Sequence, residues 1–162
     1  MTLKNINLKS LAFAGFVAGY VMYFADKYLA GTLGLFGVYP GTADPWWMLQ
    51  HHIDAIIFAI PFALPAIQRK LPGSGWLKGT VYGFLWAILV TVIKQIIGAL
   101  GANLFAQMSL TVQGVVTSLL LHMVYGFTLG ALYLPPGESR MIEDKIYRFI
   151  RKEQGPPVHH DQ

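Results

Sequence analysis

Four stretches of the chain, about residues 10–30, 50–67, 76–100 and 112–134, are apolar around the whole helix circumference and not along one stripe. A helix on a soluble core keeps a polar face; one that is apolar all round is solvated by lipid or by other helices. Each stretch supplies roughly the 20 residues that cross about 30 Å of hydrocarbon. The pattern predicts an all-α membrane protein, a four-transmembrane-helix bundle occupying residues 1–137. Pro135-Pro136-Gly137 stops the fourth helix. Beyond it, residues 138–154 read as a C-terminal cytoplasmic amphipathic helix, with Ile142, Ile146, Phe149 and Ile150 on one face and acids leading bases. Residues 155–162 have the composition of a disordered tail, which makes His159 and His160 poor metal ligands.

Charge orients the bundle. Lys4 and Lys9 precede the first span, Arg69, Lys70 and Lys78 flank the second turn, and Arg140, Lys145, Arg148, Arg151 and Lys152 follow the fourth span, ten of the 12 basic residues in all. The positive-inside rule places that side, and both termini, in the cytoplasm. Trp46 and Trp47 stand at the outer interface and Trp76 at the inner one. The first span carries Asp26 and Lys27 and leads into three more, so it reads as an uncleaved span and not a signal peptide. Leu71 to Gly75 form a short turn that makes the second and third spans antiparallel neighbours.

Composition narrows the chemistry. The chain is 54% hydrophobic and 12% charged, about half the charge fraction of a soluble domain. The absence of cysteine removes disulfides, thiolate metal sites, iron–sulfur clusters and cysteine nucleophiles. The net charge of +4 sits beside spans, where topology and lipid headgroups account for it, so no nucleic-acid partner is expected.

Small residues recur four apart: Gly15 and Gly19, Ala55, Ala59 and Ala63, Gly79 and Gly83, Gly126 and Gly130. Such pairs let helices approach closely in lipid, and most lie in the cytoplasmic half, which is expected to be tight. Polar residues occupy the other half. Asp26 and Lys94 lie roughly 24 Å from the inner ends of their spans. Each follows a seam glycine by eleven residues, close to three turns, and so shares its face. Asp54 reaches a similar level, Gln95 adjoins Lys94, His51 and His52 lie above, and His122 is nearer the middle. The expectation is a candidate intramembrane polar site of Asp26, Asp54, Lys94, His122 and His52, against which stands a structural ion pair or charges that snorkel to the interface. Asp54 and His52 are about 200° apart on their helix and cannot face one cavity.

Other chemistries fare worse. Haem b wants two facing histidines, and His52 and His122 differ in depth by roughly 12 Å if the second span starts at residue 50. His51-His52-x-Asp54 lacks the second half of a zinc-hydrolase motif, and neither a G-x-S-x-G elbow nor a P-loop is present, so neither a catalytic set nor a metal site is expected. The glycine-rich stretch 31–41 reads as an interfacial loop, and 102–111 as a surface or re-entrant helix. Pro61 and Pro65 should kink the second span or loosen its inner end.

The run His51-His52-Ile53-Asp54-Ala55-Ile56-Ile57-Phe58-Ala59, with Gly79-x-x-x-Gly83, His122-Met123-Val124-Tyr125-Gly126-x-x-x-Gly130-x-x-Tyr133 and Ala14-Gly15-x-x-Ala18-Gly19-x-Val21-Met22, resembles the YagU-like small four-helix bacterial inner-membrane proteins of unknown function. The resemblance covers about residues 12–134, with Lys94 and the doubled histidine outside the family's pattern. It implies a bacterial inner-membrane location and supplies no reaction. Three function classes follow. The foremost is a non-catalytic accessory or structural subunit, bound to lipid and to other membrane subunits or its own copies. The second is a small ion- or proton-coupled transporter using the polar layer. The third is a redox subunit holding haem b or quinone, although no cofactor is called for by the sequence itself.

Overall fold

A computed structural model describes residues 6–30, 45–100 and 112–138, together with 146 and 149. Of these residues 88% are helical, and none is in a strand. The elements run α1 (Leu8–Phe24) with a π-helical continuation (Ala25–Ala30), α2 (Pro45–Ala63), α3 (Pro65–Gln68), α4 (Gly75–Ala99) and α5 (Val112–Leu132). Ile146 and Phe149 are helical and exposed; the rest of the expected amphipathic helix, the 31–41 stretch, the 102–111 segment and the tail lie outside the described residues.

Local chemistry sets the boundaries. Asn7 caps α1, its side-chain oxygen accepting from the Ser10 amide at 3.2 Å. Pro61 sits within α2 without ending it, and the break comes at Leu64, whose extended backbone is what the residue before Pro65 favours. Pro65 then opens α3 at a position where no amide proton is needed. Gln68 reaches back to donate to the Phe62 carbonyl at 2.9 Å, so the break leaves that oxygen satisfied. In the turn to α4, Gly73 has φ of +79°, a conformation that a side chain would strain. The second helix begins at Pro45, earlier than the expected residue 50, because Trp46 and its neighbours join it.

Two seams of small residues hold the helices in pairs. On α4 and α5, Gly75 faces Gly130, Gly79 faces Gly126, and Gly83 faces the backbone of His122, one helical turn apart at each step. The backbones touch: a methyl on any of these glycines would overlap a carbonyl oxygen of the other helix. Gly15 and Gly19 of α1 meet Ala59 and Ala55 of α2 in a second seam. Across the bundle, Tyr82 of α4 donates to the Phe58 carbonyl and Tyr125 of α5 to the Ala55 carbonyl, both on α2. The amide of Leu134 donates to Ser10 Oγ at 2.8 Å and ties the end of α5 to the start of α1. Both described ends of the chain, α3 and the start of α4 therefore share one end of the bundle; the start of α2 and the end of α4 share the other.

Burial is inverted relative to a water-soluble bundle. Ala14, Ala18 and Ala59 are fully buried, around a core that also holds Phe62, Tyr82, Tyr125, Leu129 and Tyr133. Phe13, Leu85, Val112 and Leu100 face outward, the last at 80% exposure. Large apolar side chains outside and small residues inside suit a lipid solvent, where close backbone packing replaces hydrophobic burial as the cohesive force. Three helices, Leu8–Tyr28, Gly75–Ala99 and Val112–Glu138, are long and apolar enough to cross a membrane; Met48–Ala63 is apolar but shorter.

Candidate functional site at the polar end of the bundle

The expected polar site divides by position. Asp26 is 1% exposed and lies in the π-helical continuation of α1. A π turn is wider than an α turn and rotates the residues after it. Its segment packs against α5, so the eleven-residue spacing from Gly15, which does face α2, no longer gives the partner of Asp26. Lys27 in the same segment places its ammonium 5.7 Å from the Tyr23 ring centroid, within cation–π range. Asp54 is half-buried on α2. Lys94 lies in α4, its side chain outside the described residues; the adjoining Ile93 and Gln95 are exposed.

The histidines are held more specifically. His51 donates from Nε2 to the Gly19 carbonyl at 3.0 Å, across the α1–α2 seam. His52 donates from Nδ1 to the Met48 carbonyl at 2.7 Å, and His122 does the same to the Ser118 carbonyl at 2.7 Å. In each case a carbonyl can only accept, so the geometry assigns the proton to Nδ1 and leaves Nε2 of a neutral ring as an acceptor.

Depth does not keep His52 and His122 apart. Tyr125 reaches Ala55, and both histidines lie three residues outward from that pair, which brings them within about one helical turn of each other. A second span starting at residue 50 implies a larger gap than a helix that already runs from Pro45. Direction separates them instead: the His52 ring lies against Phe16 and Tyr20 of α1, at 4.7 and 5.3 Å, and no described contact joins it to His122.

The six packing glycines all lie in seams, Gly15 and Gly19 against α2 and Gly79, Gly83, Gly126 and Gly130 between α4 and α5. Sequence reasoning missed Gly75, whose spacing four before Gly79 carried the signal. It also missed Thr117 and Ser118, 1% and 8% exposed, which precede His122 by about one turn. Thr117 returns its hydroxyl to the Gln113 carbonyl at 2.8 Å. Tyr82 and Tyr125 could not have been singled out, because a tyrosine within a span carries no mark of the carbonyl it will reach. No group of three or more histidine and acidic side chains placed to hold a metal occurs among the described residues.

No family model, curated protein or solved structure matches the chain.

Proposed function

We propose that the chain is a four-span protein of a bacterial inner membrane, with both termini in the cytoplasm, that serves as a non-catalytic accessory or structural subunit. Three spans have the required length and composition, and the apolar part of α2 continues through α3 toward the same end of the bundle. Lys9, Arg69, Lys70 and Lys78 lie at the end of the bundle where the start of α1 meets the end of α5, the charge distribution of a cytoplasmic face.

The observation that carries the subunit reading is the far half of α4. From Ile88 to Leu100 no described side chain is buried, on any side of the helix. Thr91, Gln95 and Gly98 nevertheless continue along one face the run of small and polar positions that the near half spends on α5. A Cβ on Gly98 would meet nothing within 4 Å. A glutamine amide in lipid seeks a hydrogen-bonding neighbour, and a small residue beside it leaves room for one. A helix from another subunit satisfies both. Native mass spectrometry of the protein, extracted gently from its own host, tests this: a stoichiometric second subunit is expected, and a bare monomer contradicts it.

A further inference from the structure

The helical period places His52, Ala55, Ala59 and Phe62 on one face of α2. All four are buried, His52 at 7% exposure. An imidazole therefore occupies the last position of a face otherwise lined with small and apolar groups. Its Nδ1 proton is committed to the Met48 carbonyl, and its Nε2 is buried with no hydrogen-bond partner. A bare acceptor in an apolar setting is costly unless something donates to it.

The surroundings say what kind of donor fits. His52 lies behind Phe16 and Tyr20, which are 48% and 42% exposed on the outer flank of α1. Phe24 follows at 5.3 Å from Tyr20, and Tyr28 stacks on Phe24 at 5.4 Å, so this flank is a ladder of ring faces. On the seam side, Gly19 presents no side chain to the imidazole edge; even a Cβ there would stand 4.0 Å from Cδ2. The Gly19 carbonyl is already taken by His51.

We propose that His52, Phe16 and Tyr20 form a lipid-side site for the ring of a hydroquinone. A flat ring stacks on the exposed aromatic faces. One hydroxyl donates to Nε2 after a rotamer change in Phe16 or Tyr20 uncovers it, and an apolar tail runs along the exposed Phe13. The protonation state selects the reduced ring: an oxidised quinone offers only carbonyl acceptors, which would face the Nε2 lone pair without a proton between them. The site is independent of whether α4 carries a partner subunit.

The test uses full-length protein in lipid nanodiscs, labelled with 15N-histidine. Three probes share one short alkyl tail: a hydroquinone, its oxidised quinone, and its dimethyl ether, which keeps the ring and has no O–H. The hydroquinone is expected to bind roughly tenfold more tightly than either analogue, or better, and to shift the His52 Nε2 resonance. His52→Phe keeps a ring and removes the acceptor, so the preference should vanish. Tyr20→Leu should weaken all three probes and leave their ratio unchanged, which keeps the idea testable if His52→Phe does not fold. Equal affinities in the native protein, a preference that survives His52→Phe, or an Nε2 resonance that already reports a hydrogen-bonded acceptor and does not move, would each overturn it.

Discussion

The two seams of the bundle look alike in sequence and differ in kind. Between α4 and α5 the contact is backbone on backbone, with carbonyl oxygens lodged where side chains would be. Between α1 and α2 the contact is mixed and looser: a Cβ on Gly19 would come within 2.7 Å of the Ala55 methyl, whereas one on Gly15 would stand 3.0 Å from the Ile56 Cα and 3.2 Å from both the Ala55 carbonyl oxygen and the Ala59 methyl. The difference matters because a methyl group can withdraw when its residue is shortened, whereas a backbone oxygen cannot. Small-residue spacing thus identifies a face that packs closely, but how closely is decided by the partner helix.

The comparison predicts a graded series, read as unfolding free energy in detergent or bilayer. Gly79→Ala and Gly126→Ala should be the most damaging, at about 3 kcal/mol or more, since each methyl overlaps a fixed backbone oxygen. Neither should be rescued by any single shortening on the opposite helix. Gly19→Ala is expected to cost about 1–2 kcal/mol, and the double change Gly19→Ala with Ala55→Gly should recover most of it by exchanging which helix carries the methyl. If that pair shows no coupling, the seam does not have the geometry described. Tyr125→Phe removes the clamp on the Ala55 carbonyl and should cost about 1 kcal/mol, its carbonyl retaining the helix amide as a donor. Gly98→Ala comes last: with open space around it, the substitution should leave the isolated protein unchanged or stabilise it by up to about 1 kcal/mol through helix propensity.

Much of this framework was legible in the chain. Uniform apolarity located the long helices, and the glycine and alanine spacings picked out the faces that meet. What could not be read was which faces meet each other, since Gly15 and Gly79 carry the same signature and contact different partners. The polar end was less legible still. A π-helical turn over Ala25–Ala30 has no sequence mark, yet it determines that the segment bearing Asp26 approaches α5. His52 was visible as a histidine at helical spacing from Ala55. Its bare Nε2 follows only from knowing that Nδ1 reaches Met48 and that Phe16 and Tyr20 cover the ring.

The contrast between the two halves of α4 leads to the most direct test of the subunit reading. The near half is consumed by α5; among the described residues, no side chain of the far half is buried. Because the protein contains no cysteine, single cysteines can be placed at Gly98 and, as a lipid-facing reference, at Phe13. Both variants would be treated in native membranes with a lipid-soluble thiol reagent and a short bifunctional cross-linker. The reading predicts that the position 98 thiol is shielded from the lipid-phase reagent and cross-links to a second polypeptide, while the position 13 thiol reacts fully and does not cross-link. Equal reaction at both positions, with no cross-linked product from either, would contradict it.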